Sequence, residues 1–241
     1  TSMVDPDMGA WTYAYDLAGN LTAQTDARGC VTAFTYDGLD RLTGKSTTGA
    51  TGCGQGPVSF GYDQAGYGES LGRRTTMTDT SGSTTWTYDT RGRVTQEVKL
   101  IAGEAFTTST TYDALDRVRT VAYPDGEVVT QGYDAAGRPA TLSGATAGTL
   151  VSASAYTATG QLTLLALGNS SLQTAFTYDP LMQRLTQLRT TSSFNTLQEL
   201  SYTYDPVGNI TYIRDDAQQT IYFKNQRVEP SADYTYDAIY R

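Results

Sequence analysis

The sequence predicts an all-β protein built from repeated antiparallel β-hairpins. Three features of the 241-residue chain indicate this fold: a Tyr-Asp motif that recurs along its whole length, strand-like runs beside each copy, and turn signals between copies. Successive motif tyrosines lie 21 to 32 residues apart. A repeat of that period is typical of architectures in which one supersecondary unit is stacked many times.

The motif reads Tyr-Asp, two variable residues, Gly or Asp, and then often Arg or Asn. It occurs ten times, and the seventh copy has threonine after its tyrosine, Tyr156. The predicted structural motif residues are Tyr15, Asp16 and Gly19; Tyr36 and Asp37; Tyr62 and Asp63; Tyr88, Asp89, Gly92 and Arg93; Tyr112, Asp113 and Arg117; Tyr133, Asp134, Gly137 and Arg138; Tyr178 and Asp179; Tyr204, Asp205 and Gly208; and Tyr236 and Asp237.

Turn chemistry explains the motif. We expect each aspartate to take the first position of a type I turn, where its carboxylate accepts backbone N–H groups from the turn. The fourth position then needs a left-handed backbone, in which glycine costs least and Asp or Asn is tolerated. Met182 and Tyr240 break this pattern, so we expect altered turns there. The following Arg or Asn should reach back to the aspartate. The expected left-handed residues are Gly19, Asp40, Gly66, Gly92, Asp116, Gly137, Gly160 and Gly208.

The runs before the motif alternate aromatic and small residues, as half-buried strands do. In TAFTYD, residues 32–37, Phe34 and Tyr36 share one face of the strand and Thr35 lies on the other. The turn signals DARG, DTSG and YPDG close the opposite ends of hairpins, and no segment has the periodicity of an amphipathic helix. With 39% hydrophobic residues, we expect a sizeable and largely aromatic buried surface.

Composition excludes several classes of function. The formal charge of −8 argues against binding nucleic acid or an anionic membrane surface. No apolar run is long enough to span a bilayer, and no signal peptide is visible. The chain has no histidine, which removes the commonest general base and all His-ligated metal sites. We expect no catalytic residue, no metal site and no cofactor.

The two cysteines, Cys30 and Cys53, are too few for a disulfide scaffold. Both fall at hairpin ends opposite the Tyr-Asp turns. A bridge between neighbouring hairpin ends is one interpretation, and two unrelated thiols are the other.

The repeated carboxylates and tyrosines allow functional interpretations as well. Paired carboxylates could hydrolyse glycosides, but a catalytic pair would be two unusual residues, whereas these aspartates recur in nearly every copy. A row of tyrosines could stack against sugars, although cross-strand packing is its commoner role. We therefore predict a structural protein that is not an enzyme, with a carbohydrate-binding or cell-surface adhesion module as the alternative.

Ten copies of a YDxxGR-like motif at this spacing resemble the RHS/YD-repeat family over essentially the whole chain. The C-terminal stretch is similar to a region in the shell-forming components of bacterial insecticidal Tc toxins. This similarity rests on Phe223, Asn225, Val228, Pro230, Tyr234, Tyr236-Asp237-Ala238 and Tyr240-Arg241.

The resemblance implies hairpins wound into a hollow shell that encloses a toxic effector, and a secreted or cell-surface location on a bacterium. The implied partners are the rest of the shell and the enclosed polypeptide, with a glycan as a further option. The family's C-terminal core cuts the effector free with a pair of aspartates. That core has no counterpart in this sequence, so no catalytic residue is carried over.

We predict one repeat domain over residues 1–241, a fragment of a larger protein. Ten hairpins supply about twenty strands, which at about 4.8 Å per strand would make a flat sheet roughly 95 Å wide. Open twisted sheets rarely exceed about ten strands without curling. We therefore expect a long curled sheet, an open segment of a shell. The chain stops within its last motif at Arg241, and uncovered strand edges are expected to cause self-association.

Overall fold

The structure, a computed structural model, describes residues 1–49, 52–54 and 56–239. The described residues form 22 β-strands and contain no helix. This confirms the prediction of an all-β chain of antiparallel hairpins. No helix of the described residues is long and apolar enough to cross a membrane. The chain divides into two compact units, Thr1–Arg117 with Val121–Gly126, and Val118–Thr120 with Glu127–Arg241.

The first unit contains ten complete strands, and each after the first pairs antiparallel with the strand before it. Their order in the sheet therefore follows their order in the chain, as consecutive hairpins require. They are β1 (Ser2–Asp5), β2 (Gly9–Tyr15), β3 (Leu21–Thr25), β4 (Val31–Tyr36), β5 (Leu42–Thr48), β6 (Val58–Tyr62), β7 (Arg74–Asp79), β8 (Gly82–Tyr88), β9 (Val94–Ile101) and β10 (Glu104–Tyr112).

The second unit repeats this plan from β12 to β19, after β11 (Val118–Ala122), which has residues in both units. β22 pairs with β19, while β20 and β21 pair only with each other. The strands are β12 (Val128–Tyr133), β13 (Pro139–Gly144), β14 (Gly148–Tyr156), β15 (Leu162–Leu167), β16 (Leu172–Tyr178), β17 (Leu185–Ser192), β18 (Thr196–Tyr204), β19 (Ile210–Asp215), β20 (Ile221–Phe223), β21 (Gln226–Val228) and β22 (Ser231–Asp233).

The alternation predicted from the sequence is present in β4. Phe34 and Tyr36 are half-buried, whereas Ala33 and Thr35 between them are exposed. The aromatic residues before the motif therefore share the better-covered face of the strand, and small residues occupy the other.

The expectation of a sizeable buried surface is wrong for the described residues, in which Cys30 and Ala166 are the only buried apolar side chains. Within each unit the described strands contact only their neighbours in the ladder. In the described residues no second layer of the same unit covers either face, so most motif tyrosines stay half-exposed. Composition measures how much apolar material a chain holds and not whether a second layer covers it.

A disulfide joins Cys30 and Cys53. The sequence had left open either a bridge or two unrelated thiols, and the structure shows the bridge. Cys30 follows the turn between β3 and β4, and Cys53 lies in the connection between β5 and β6. β5 and β6 share only two paired positions. The bridge therefore fastens this connection to the preceding hairpin end at a point where strand pairing is sparse.

Reduction of the bridge should destabilise the protein. A cross-link between residues 23 apart restricts the unfolded chain by about 3 kcal/mol, and urea unfolding with and without reductant measures this loss. A Cys30→Ser/Cys53→Ser double variant should have the same free energy of unfolding as the reduced protein, and reductant should not change it. Rapid alkylation of either thiol in the unreduced native protein would contradict the bridge.

Candidate functional site: a ladder of tyrosine, aspartate and arginine side chains

The turn after Tyr88 shows the geometry of the motif. The Gly92 N–H donates to the Asp89 carbonyl oxygen at 2.9 Å, and the Asp89 N–H donates to the Arg93 carbonyl oxygen at 3.0 Å. Gly92 has a φ of 76°, and the pairing register shifts between Thr87 and Tyr88. This is a type I turn followed by a left-handed residue that makes a bulge, as the turn chemistry predicts.

All the residues predicted to be left-handed have positive φ, which confirms that part of the turn assignment. Asp40 and Asp116 adopt φ values of 58° and 65° without being glycine. Aspartate tolerates this conformation better than most residues because its short side chain bonds locally. The fourth motif position is therefore selected for backbone conformation.

The turn at Asp179 is altered, as predicted from Met182. It is one residue longer than the other motif turns. The Gln183 N–H donates to the Asp179 carbonyl oxygen at 2.9 Å, and the Asp179 N–H donates to the Arg184 carbonyl oxygen at 2.8 Å. The left-handed residue is Gln183, with a φ of 58°, and not Met182. The altered turn predicted at Tyr240 lies outside the described residues.

The short turn predicted at Asp63 is wrong. Asp63 itself has a φ of 57°, and its N–H donates to the Arg73 carbonyl oxygen, so the hairpin returns only at residue 73. The loop 63–73 also bonds the neighbouring hairpin, since the Tyr88 N–H donates to the Tyr67 carbonyl oxygen at 2.9 Å. Gly66 is left-handed as predicted, but it does not close the hairpin.

Most motif aspartates close their own turns with both carboxylate oxygens. Oδ1 of Asp89 accepts the N–H groups of Arg91 and Arg93 at 2.9 and 3.0 Å, and Oδ2 pairs with the Arg93 guanidinium at 2.6 Å. The predicted reach of the arginine back to its aspartate is thus confirmed. Equivalent pairs are Asp37–Arg41, Asp113–Arg117 and Asp134–Arg138, with asparagine as the partner in Asp16–Asn20 and Asp205–Asn209.

Nine motif tyrosines bind the preceding return strand through their hydroxyl groups. The Tyr112 hydroxyl donates at 2.7 Å to the carbonyl oxygen of Val94, the first residue of β9. In every case the acceptor begins a return strand, so within each unit the tyrosines connect hairpin to hairpin. The other pairs are Tyr36–Leu21, Tyr62–Leu42, Tyr88–Arg74, Tyr133–Val118, Tyr156–Pro139, Tyr178–Leu162, Tyr204–Leu185 and Tyr236–Ile210.

Motif arginines make a second connection between copies. The guanidinium carbon of Arg93 lies 4.5 Å from the ring centroid of Tyr112 in the next copy, and its Nη1 donates to Asp116. Such a stack adds cation–π attraction to the ion pair. Arg41 does the same with Tyr62 and Asp63; Arg138 stacks on Tyr156 and donates to the Thr157 carbonyl; and Arg184 stacks on Tyr204 and donates to the Asp205 carbonyl.

From the sequence we expected the motif tyrosines to pack across strands and each motif arginine to bind the aspartate of its own turn. The bond from the tyrosine hydroxyl to the preceding copy and the stack of the arginine on the next copy were not predicted. The interval from a motif arginine to the next motif tyrosine is not fixed: it is 21 residues from Arg41 to Tyr62, 19 from Arg93 to Tyr112 and 16 from Arg117 to Tyr133. Spacing along the chain therefore carried no signal for these contacts.

The model of the RHS Repeat family matches residues 1–29, 15–52, 69–104 and 112–149, together more than half of the sequence. The chain belongs to the RHS repeat family. The Tyr-Asp hairpins within the matched residues are therefore RHS repeats, and the resemblance inferred from the motif is confirmed.

Toxin subunits YenC2 and YenC1 of Yersinia entomophaga resemble this RHS repeat chain. Each is 34% identical to it, over 152 and 154 residues respectively. These alignments cover 59% and 60% of this chain. The chain spans only 16% of the length of either subunit.

Solved Tc toxin structures share the fold of these RHS repeats. The TM-score is 0.83 at 25% identity for a TcdB2-TccC3-Cdc42 structure and 0.85 at 24% identity for TcdB2-TccC3. The Photorhabdus luminescens Tc holotoxin pore gives 0.83 at 24% identity. Each likeness covers 99% of this chain and 13% of the other. The predicted resemblance to Tc toxins is thus confirmed.

Hydrogen bonds from the neighbouring residues lower the pKa of several motif aspartates of these RHS repeats. The hydrogen bond from the Arg93 guanidinium, followed by that from the Arg93 N–H, lowers the pKa of Asp89 to about 2. The Arg41 guanidinium lowers the pKa of both Asp37 and Asp63. A carboxylate with so low a pKa is suited to accepting hydrogen bonds and poorly suited to donating a proton near neutral pH. Within the described ranges, acidic and cysteine side chains form no cluster of three that could hold a metal ion.

We expect the free energy of unfolding to fall between about pH 4 and about pH 2. Because the pKa of these aspartates is lower in the folded protein than the ordinary value of 3.8, their ionised forms stabilise the fold above that value. This stabilisation is lost as the pH falls through the folded values. With no histidine in the chain, stability should be flat between about pH 5 and about pH 8.

Urea unfolding followed by circular dichroism across this range measures the effect. An Asp89→Asn variant should lose part of the acid dependence, whereas Asp7→Asn, outside the motif, should retain it. A main transition between about pH 5 and about pH 7 would contradict this account.

Proposed function

We propose that this chain is a structural segment in the wall of a toxin shell, and that the shell encloses a cargo polypeptide. The observation that carries the proposal is the bonding between copies. Pairing of β9 with β10 and the Tyr112-to-Val94 type of hydroxyl bond join one hairpin to the next. A chain built this way is extended by adding equivalent hairpins, and its recurrent polar residues bind each hairpin to its neighbours. Toxin subunits and a Tc holotoxin among the similar proteins support the same role.

In this proposal residues 1–241 act as one repeat domain of a larger protein, and the motif residues are structural and not catalytic. The partners are the remaining repeats of the shell and the enclosed polypeptide, and the assembly is secreted or displayed on the surface of a bacterium. In the described residues strand β1 pairs with β2 alone, and its other edge would take a further stretch of repeat or another copy.

Protease protection tests the enclosure. In the longest natural polypeptide that contains residues 1–241, non-repeat sequence should resist trypsin while the shell is closed. An Asp89→Ala/Asp134→Ala variant, which opens two motif turns, should make that sequence digestible, and Asp7→Ala should not. Equal digestion of the non-repeat sequence in all three proteins would contradict enclosure.

A further inference from the structure

An open hollow of about 430 Å³ lies on strands β6 to β9 of the first unit. Its lining is aromatic and cationic, a combination that the sheet does not need for strand pairing. The residues around it are Tyr62, Arg74, Trp86, Tyr88 and Val94.

Arg74, which lines the hollow, and Arg73, which stacks on Tyr88 of the lining, lack the carboxylate partner that most motif arginines have. In four other copies the arginine pairs with its own aspartate, as Arg93 does with Asp89. In the third copy the loop 63–73 diverts Asp63, whose carboxylate accepts from Gly72 and Arg41. Neither Arg73 nor Arg74 has a carboxylate oxygen within 4.0 Å of its guanidinium in the described residues.

The aromatic rings hold these arginines in place. The guanidinium carbon of Arg74 lies 4.7 Å from the ring centroid of Trp86 and 5.6 Å from that of Phe60, and that of Arg73 lies 5.6 Å from Tyr88. The Trp86 Nε1–H donates to Glu97 at 2.8 Å, which fixes the indole plane. Trp86 also differs from the phenylalanine or tyrosine two residues before the motif tyrosine in six other copies, at Tyr13, Phe34, Phe60, Phe176, Tyr202 and Tyr234.

We propose that this hollow binds an acidic saccharide, a chain containing uronic acid. Arg73 and Arg74 would pair with a sugar carboxylate, since guanidinium groups bind carboxylates in a planar, two-point geometry. The faces of Trp86 and Tyr88 would cover the apolar C–H face of the pyranose ring. A neutral sugar would not pair with the two guanidinium groups, and a simple anion would not contact the aromatic faces. The inference stands apart from the proposed shell, because it rests on Arg74 and Trp86, whose positions hold other residue types in the other copies.

Tryptophan fluorescence gives a direct test. The chain has two tryptophans, so a Trp11→Phe variant of the full chain reports on Trp86 alone. We expect a saturable change in its emission with tetragalacturonate and none with cellotetraose, a neutral oligosaccharide of the same length. In that background Arg74→Gln should weaken binding by about tenfold or more, as loss of a charge-assisted pair does. Arg119→Gln, at another exposed strand arginine, should leave it unchanged.

Three results would overturn the proposal: no saturable change with tetragalacturonate, an equal response to cellotetraose, or binding that Arg74→Gln leaves intact. Near-UV circular dichroism of each variant shows whether the aromatic packing is preserved. If Arg74→Gln perturbs that packing, Arg73→Gln provides the second variant, with the same expected loss of affinity.

Discussion

Replacing Gly68 by alanine should destabilise the first unit by more than about 4 kcal/mol. Gly68 has a φ of 68°, and a Cβ atom there would lie 1.9 Å from the carbonyl oxygen of Tyr88. That oxygen accepts the Glu69 N–H, and the Tyr88 N–H donates to Tyr67. The backbone therefore cannot move aside without breaking the bonds that hold the loop 63–73 to the next hairpin. Urea unfolding followed by tyrosine and tryptophan fluorescence measures the loss.

Gly66 in the same loop provides a matched control. It has a φ of 92°, but a Cβ atom there would meet nothing within 4 Å. Gly66→Ala should therefore cost only the left-handed backbone, about 1–2 kcal/mol. Equal losses for the two variants would show that the close approach of Gly68 to Tyr88 is not what fixes the loop.

Truncating Tyr112 to alanine should cost about 3 kcal/mol. The change removes a half-buried ring, the stack with Arg93 and the hydroxyl bond to Val94. Tyr112→Phe keeps the ring and should cost about 1 kcal/mol, because the Val94 carbonyl loses its donor. Urea unfolding of the two variants separates the contribution of the ring from that of the hydroxyl.

Tyr15, the motif tyrosine of the first copy, is the matched control for the hydroxyl. It is 52% exposed, and no acceptor in the described part of the chain lies within hydrogen-bond reach of its hydroxyl. Tyr15→Phe should therefore be neutral. A near-neutral Tyr112→Ala would contradict the structural role of the tyrosine row, and accompanying loss of saccharide binding would favour the carbohydrate-binding alternative.

The motif turns could be predicted from sequence because their causes are local. The Asp89 carboxylate, the left-handed Gly92 and the guanidinium of Arg93 all lie within five consecutive residues. The length of the loop 63–73 could not be predicted from local sequence, although the positive φ of Gly66 was predicted correctly. Its length depends on bonds to Tyr88 in the next hairpin, and no pattern within the loop specifies that partner.

The connections between copies were harder to predict for the same reason. The Tyr112 hydroxyl reaches a backbone carbonyl, and any residue can supply that acceptor, so Val94 carries no identifying side chain. Pairing of Cys30 with Cys53 was likewise undecided, because spacing alone does not give the distance between two hairpin ends. The half-exposed state of the aromatic face follows from the absence of a second layer within each unit, which composition does not encode.

Electron cryomicroscopy of the longest natural polypeptide that contains residues 1–241 tests the central claim most directly. The shell account predicts a hollow particle in which these residues form successive hairpins of the wall, with the Tyr112-to-Val94 type of bond between copies and non-repeat density inside. A solid particle, or an extended one with no enclosed space, would contradict it.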